Sequence, residues 1–512
     1  MDQAADNGYR QTRKYHMRWW TLLVLSLSLV IIGLDNTILN VAIPTIQRDL
    51  NATASQLQWM VDAYILIFAS MLLTMGSLGD RFGRKLTLQL GIIIFCGFSV
   101  MAAYSDSSGQ LIASRALMGL GGALIMPSTL SIITDVFPRE ERGKAIGLWA
   151  GVAALGIGLG PAIGGWLLEQ YWWGSVFLIN VPITILALML GFFLVPKSRA
   201  PHPPRIDIIG AGLSMSMLLS LVYAIIEAPS RGWTDTLVLA CFGSALVLGL
   251  LFVFQELRTD NPMLNLSFFR NPRFSAGAGA ITMAFFTLFG VMFLFTQYMQ
   301  FVLGYTALQA GVRLTPFAFG MLIGAANSHR MVRIFGTNKV VAGGLAVVAV
   351  MLFSVYFWGI EIAYWIIGVT IVIQSFGMAN TMAPSTDAVM GAVPLAKAGV
   401  GSATNDTTRM VGGALGVAIF GSVLNTLYSS NMEAATAQLQ PQAAAAARDS
   451  VGAAVQIAGM AGGPQGEALA VLARQTFVDA MGVAFVIAAV VAMLTAVAVF
   501  FIMPAGHLGK QE

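Results

Sequence analysis

A chain of 512 residues that is 57% hydrophobic and 10% charged, with a mean hydropathy of +0.76, holds more apolar side chains than one aqueous core can bury. It reads as an all-α polytopic membrane protein. The formal charge of +4 invites a nucleic-acid partner or anionic substrates, but the bases sit in short loops beside apolar runs, so no nucleic acid is expected.

A spanning helix needs ~20 apolar residues, and about fourteen such runs occur. They cover residues 19–46, 57–79, 86–105, 110–136, 142–168, 173–195, 206–227, 236–257, 274–303, 307–329, 339–358, 363–391, 398–428 and 476–503. The first run follows a basic tail, 1–18, yet it is long, lacks a small-residue cleavage site and contains Asp35, so it is kept as a spanning helix rather than a signal peptide. Of the 28 Lys and Arg residues, only Arg48, Arg231, Arg448 and Arg474 fall on the outer side of this topology, with Arg115, Arg313 and Arg409 inside helices. The remaining bases share the other side, which predicts that both termini are cytoplasmic.

Between the second and third runs lies Gly76-Ser77-Leu78-Gly79-Asp80-Arg81-Phe82-Gly83-Arg84-Lys85, a cluster of charges and glycines. It is expected to be a short cytoplasmic loop, with glycine permitting the turn and the acid facing a base or a helix end. Ionisable residues inside apolar runs cost several kcal/mol unless paired or wetted, so each is a functional candidate. Asp35 lies eleven residues before Ile46, roughly 16 Å along the axis, while Asp62 and Arg115 each lie roughly 7.5 Å from an outer end. All three are placed in the outer half of the first bundle. Asp35 and Arg115 can form a buried pair, and a carboxylate so placed can exchange a proton for a cationic ligand, since both compete for one negative charge. The alternative is a salt bridge that only fixes helix packing.

The fifth run carries Gly147, Gly151, Gly156, Gly160, Gly164 and Gly165, with Pro161 among them. Small residues let helices approach closely and the proline removes a backbone bond, so a kinked, tightly packed helix sealing the contact between halves is expected. The proline-rich basic linker 196–205 ends a first bundle, 19–195. Two extra helices, 206–257, a second linker, 258–273, and a six-helix bundle, 274–503, follow, with a tail at 504–512. Ile334-Phe335-Gly336 with Lys339 repeats Arg81-Phe82-Gly83 with Lys85, and Arg333 stands where the first half has Asp80. Paired halves around a midplane cavity suit a secondary transporter.

Arg313, Glu227 and Asp387 lie near helix ends, where snorkelling accounts for them. Trp149, Phe286, Tyr298, Met378 and Met382 are candidates for an adaptable pocket, with core or lipid contact as the alternative. Asp406 lies roughly 12 Å into the thirteenth run, three residues before Arg409. The two can form an intrahelical pair or act on protons or substrate. Residues 429–475, rich in Ala, Gln and Gly, are expected outside, with partial helix at 442–447 and 467–474. Cys96 and Cys241 are expected to be packed, and His16, His202, His329 and His507 lack metal-like neighbours, so no metal site is assigned. With no phosphate-binding Gly-x-x-x-x-Gly-Lys-Ser/Thr loop, no cofactor is expected and the energy must come from an ion gradient or another subunit.

Several motifs agree with one family. Gly76 to Lys85 resembles the loop motif of the major facilitator superfamily, Leu111, Arg115 and Gly119 its fourth-helix motif, and Gly151 to Gly165 its antiporter motif. Leu34-Asp35-Asn36-Thr37 through Ala42-Ile43-Pro44 is similar to the first-helix motif of the fourteen-helix drug:proton antiporters. Trp59-x-x-Asp62-x-Tyr64 and Phe177-Leu178-Ile179-Asn180-Val181-Pro182 look most like the QacA-type exporters. The resemblance implies the major facilitator fold, with proton coupling at Asp35 and Arg115, Asp62 in the binding cavity, and a cytoplasmic gate of Gly76, Asp80, Arg81, Gly83, Arg84 and Asp135. Proton coupling at Asp406 and substrate contacts at Asp35, Asp62, Asp406 and Arg409 complete the candidate set. Trp173-Gly174-Ser175 departs from the Trp-Arg-Trp of many relatives, and Asn405 beside Asp406 replaces one of two paired acids. The expected function is proton-coupled export of lipophilic, cationic drugs and antiseptics by a lipid-embedded monomer in a bacterial cell membrane. The alternative is a dedicated exporter of one metabolite, antibiotic or lipid.

Overall fold

The computed structural model describes residues 13–199, 207–259, 262, 264–393 and 398–505. The basic tail to residue 12, linker residues 200–206, Lys397, the chain from 506 and the surroundings of Gly147 lie outside the described residues. The long helices are α1 Arg18–Leu50, α2 Ala54–Phe82, α3 Arg84–Ala103, α4 Ser108–Val136, α5 Arg139–Gln170, α6 Asn180–Leu194, α7 Ile208–Arg231 and α8 Thr236–Arg258. There follow α9 Pro272–Gln297, α10 Pro316–Phe335, α11 Thr337–Ser354, α12 Tyr364–Gly391, α13 Ala398–Thr436, α14 Pro441–Asp449, α15 Val451–Ala461 and α16 Gly463–Ile502. Among the described residues, 11 helices are long and apolar enough to cross a membrane, or up to 12 if Ala54–Leu72 and Thr74–Phe82, bent by 53°, count as one span. Helices α5 and α10 stand outside that count.

Polar caps start these helices where apolar runs begin. Thr53 and Gln56 form a capping box at α2, Ser107 caps α4, Asp207 caps α7, Asp235 caps α8 and Asn271 caps α9. In the first half α1 packs on α5 and α6, and α4 on α2 and α3; in the second, α9 packs on α13, α10 on α12, and α11 on α12 and α16. The halves meet where α2 crosses α13 and where α5 meets the short helix Ala307–Arg313. Helix α7 wedges against both α2 and α13, with α8 outside it.

Prolines set two of these crossings. Pro229 cannot donate to Ile225 four residues earlier, and that free carbonyl accepts the Ser422 hydroxyl of the second half. The next carbonyl, Ile226, accepts from Ser55 of the first half at 3.3 Å. Pro161 likewise frees the Ile157 carbonyl, which accepts from Thr37 on α1 at 3.1 Å.

The structure changes three expectations. The expected loop at 76–85 is helical except at Gly83, whose φ of 118° joins α2 to α3 directly. Only glycine adopts that conformation easily, so a one-residue break suffices. Gly336, with φ 86°, does the same between α10 and α11, so the sequence repeat is a structural one. Second, α1 continues past Ile46 to Leu50, its last turn held by Arg48 Nε donating to the Pro44 carbonyl and Gln47 Nε2 to Ser450. Third, the helix expected at 442–447 and 467–474 is present but extends over most of the segment 429–475, because α13 and α16 run into it and α14 and α15 fill the gap. Tyr428 donates to the Ala447 carbonyl at 3.2 Å, and Asp449 accepts from the Ala54 N–H at 2.9 Å, so α14 and α15 cover this end of both halves. We call it the capped end.

Candidate transport site

Asp35 and Arg115 meet between α1 and α4. Arg115 Nη1 donates to Asp35 Oδ2 at 2.5 Å, and the residues are 0% and 1% exposed, so neither charge has water as an alternative partner. Three further helices complete the cluster. Arg115 Nε donates to the Met60 carbonyl on α2 at 3.1 Å, and its guanidinium stands 4.4 Å from the Tyr64 ring centroid. Asn180, at the start of α6, reaches Asp35 Oδ1 at 3.4 Å and Ser99 of α3 at 3.0 Å. The pair is therefore an interhelical keystone that any rearrangement of the bundle must disturb.

Its depth differs from expectation. Because α1 runs to Leu50, Asp35 stands fifteen residues from that end, roughly 22 Å, at the midpoint of the helix. Arg115 starts nearer the capped end, about 10 Å from Ser108, and its long side chain spans the difference. Asp62 lies eight residues into α2, about 12 Å from Ala54. It is fully buried, and neither carboxyl oxygen has a hydrogen-bond partner among the described residues. The structure thus joins Asp35 to Arg115 and leaves Asp62 apart. An ionised carboxylate so placed carries a cost of several kcal/mol that a proton or a cationic ligand would remove.

In the second half, Arg409 Nη1 lies 3.4 Å from Asp406 Oδ1 on the same helix, Nη2 donates to Thr386 of α12 at 3.1 Å, and the guanidinium faces Phe285. Asp406 is 8% exposed, and the adjoining Asn405 Oδ1 is buried without a partner. This is an intrahelical pair with a tether to a neighbour.

At the end opposite the cap, Arg84 Nε meets Asp80 across the Gly83 break at 2.8 Å, and Nη1 donates to the Ser131 carbonyl of α4 at 3.2 Å. Asp135 is one turn further along α4. Arg81 is exposed with its guanidinium by Phe82, so it is not brought into this contact. Gly76 lets α2 approach Pro127, where an added Cβ would lie 3.3 Å from the ring.

Helix α5 uses its glycines on two faces. A Cβ at Gly156, Gly160 or Gly164 would press on α1 backbone at Val30, Leu34 or Ile38, while one at Gly165 would lie 2.5 Å from the Ala307 carbonyl oxygen of the second half. Gly151 meets nothing and is a surface position. Pro161 lines a small cavity of about 20 Å3 with Thr37, Ile157, Gly158, Leu288, Met292, Leu314, Phe317 and Ala318, between α1, α5, α9 and α10. None of the expected pocket residues lines it. Tyr298 donates to the Gly359 carbonyl at 2.8 Å, Phe286 packs on Phe420, and Met378 is buried, so these three belong to the core. Glu227, read as a helix-end residue, also accepts from Trp59 on α2 at 3.2 Å.

Sequence reasoning missed the roles of Asn180, Ser99 and Tyr64 around the pair. The signal available was an asparagine inside a strongly apolar segment, where an unsatisfied amide is costly and a polar partner is implied.

The sequence profile of the Major Facilitator Superfamily matches residues 25–417. The chain is 34% identical to the multidrug efflux pump LfrA of Mycolicibacterium smegmatis, covering 98% of this chain and 99% of that protein. It is 33% identical to the tetracenomycin C resistance and export protein of Streptomyces glaucescens, over 94% and 91% of the two chains. It is 34% identical to the methyl viologen resistance protein SmvA of Salmonella typhimurium, over 94% and 98%. Among solved structures, a bacterial homologue of the human lysosomal transporter Spinster, inward-facing and occupied, superposes with a TM-score of 0.66 at 17% identity, covering 97% of this chain and 98% of that one. The D-xylose-proton symporter superposes with a TM-score of 0.61 at 14% identity, covering 96% and 99%. These structural likenesses share a fold. With an all-helical architecture of membrane-crossing length and a profile match over most of its residues, the chain is a multi-pass membrane protein and belongs to the major facilitator superfamily, a family of transporters rather than enzymes.

Proposed function

We propose that this protein is a proton-coupled multidrug efflux antiporter that exports lipophilic, cationic drugs and antiseptics by alternating access. The observation that carries the reading is the buried Asp35–Arg115 pair with an unpartnered Asp62 on the helix that also receives the Arg115 guanidinium. One acid is held by a fixed cation and the other awaits a mobile one. Protonation of Asp35 would weaken its hold on Arg115 and let the bundle rearrange, while Asp62 offers a negative site to a cationic substrate. Asp406 and Arg409 supply a second, locally paired acid in the second half of the chain. The relatives that are drug-resistance and efflux pumps over nearly their whole lengths support the substrate class.

In this reading α5 and α10 also cross the membrane, giving fourteen spans in two six-helix bundles plus α7 and α8. Both termini face the cytoplasm of a bacterial cell, the capped end faces out, and Asp80, Arg84 and Asp135 gate the cytoplasmic end. The working unit is a lipid-embedded monomer driven by the proton gradient without a bound cofactor. A second reading, export of a single compound, is favoured by the relative named for tetracenomycin C. A pH gradient imposed on proteoliposomes, with a panel of cationic and neutral dyes, separates them. Gradient-driven movement of many unrelated cations supports multidrug antiport, and movement of one compound supports the dedicated exporter. No gradient-dependent movement of any compound would overturn both.

A further inference from the structure

A narrow cavity of about 20 Å3, room for about one water, lies beneath the cap, where both halves meet α14 and α15. Its wall includes Gln58 of α2, Gln297 of α9, Asn425 and Tyr428 of α13, and Asp449 with Ser450 of the cap. Gln58 is 1% exposed, and its Oε1 has no hydrogen-bond partner among the described residues. The Asp449 carboxylate accepts one bond, from the Ala54 N–H, and forms no ion pair among the described residues. The bases of this end are directed elsewhere: Arg48 donates to the Pro44 carbonyl, Arg231 pairs with Glu227, Arg448 donates to Ala444 and Arg474 to Phe301. Burial pushes the Asp449 carboxyl above its ordinary range, and the Ala54 N–H offsets part of that.

The remaining lining is apolar and aromatic, with Phe293, Tyr428 and Phe477. A carboxylate without a counter-ion, an unpaired amide oxygen and aromatic rings form the environment that attracts an organic ammonium ion. Asp449 is the single carboxylate of this lining, whereas a hard metal cation ordinarily draws on several. The position is equally specific. Ala54, Gln58 and Asp62 succeed one another at four-residue spacing on α2, so the Asp449 contact, the free amide oxygen and the free carboxyl follow one helix face over about 12 Å.

Building on the export reading, we propose that this cavity is the closed form of a second substrate site, an outer station that widens to receive the quaternary ammonium head of a cationic substrate after it leaves Asp62. The cap would then hold the station closed until the halves separate at that end.

The test uses the full chain in lipid nanodiscs and equilibrium binding of radiolabelled tetraethylammonium. The expected result is two equivalents per chain. Asp449→Asn removes the charge while its amide oxygen still accepts the Ala54 N–H, so the cap stays docked. It should weaken one equivalent by roughly tenfold or more, the scale of one lost charge-assisted contact. Gln58→Leu, which keeps the volume, should weaken that same equivalent, whereas Asp62→Asn should remove the other. A single equivalent that Asp62→Asn abolishes and Asp449→Asn leaves unchanged would overturn the outer station and leave the export reading standing. Absence of saturable binding to the wild-type chain would overturn both.

Discussion

The acid–base pairs of the two halves are built differently. Asp35 and Arg115 come from different helices, are fully buried and are tied to α2 through Met60 and Tyr64, to α6 through Asn180, and through Asn180 to Ser99 of α3. Asp406 and Arg409 share one helix at i,i+3, with side chains 12% and 24% exposed and one tether to Thr386. A pair that spans helices couples its charge state to their arrangement, while a pair within one helix can lose its charge without moving anything else. The halves also differ at their matched one-residue breaks. Gly83 is bridged by Asp80 and Arg84, whereas Gly336 is flanked by Arg333 and Thr337, which cannot form that ion pair.

Removing one cation from each pair tests this contrast with the largest effect. Arg115→Ala leaves Asp35 buried and uncompensated, so a loss of about 3–5 kcal/mol is expected, against a smaller loss for Arg409→Ala, whose contact is longer at 3.4 Å and whose side chains are partly exposed. Thermal unfolding in detergent would show a clear fall for the first and a small one for the second. Equal falls would erase the distinction between the pairs. Next come the glycines by which the first half touches the second. Gly165→Val forces a side chain onto the Ala307 carbonyl and should cost about 1–3 kcal/mol, while Gly151→Ala, facing open space, should leave stability and transport unchanged. A transport defect at Gly151 would show that the glycine pattern acts through something other than close packing. The smallest effect is expected at the proline-freed carbonyls. Thr37→Val and Ser422→Ala each remove one donor, costing about 1 kcal/mol. In a double-mutant cycle, Pro161→Ala should absorb most of the Thr37→Val cost, because the amide restored at 161 satisfies Ile157 within α5.

Much of this was legible because the bilayer constrains sequence so strongly. Apolar runs located the helices, and buried charges such as Asp35, Arg115 and Asp62 stood out against them. Their pairing was less legible. Asp35 and Arg115 were readable as partners because opposite charges in one bundle seek each other, but Asn180 and the Met60 carbonyl are positioned by helix packing that no spacing rule encodes. The 76–85 segment misled because its glycines and charges mark a turn, and a single positive φ at Gly83 was enough to make it. In the 429–475 segment the alanine-rich pieces 442–447 and 467–474 are helical as expected, and the part that was not legible is the spread of helix over most of the segment once it docks on the ends of α2 and α13. The carbonyls freed by Pro161 and Pro229 were implied by the sequence, yet their acceptance of Thr37 and Ser422 depends on where neighbouring helices cross.

The central claim is that proton coupling resides in the interhelical pair of the first half. It is tested most directly by comparing Asp35→Asn with Asp406→Asn in proteoliposomes, following dye movement and internal pH together. The account predicts that Asp35→Asn keeps gradient-independent exchange of dye but loses proton movement and gradient-driven transport, while Asp406→Asn retains both in reduced measure. Gradient-driven transport with full proton movement by a well-folded Asp35→Asn chain would contradict it.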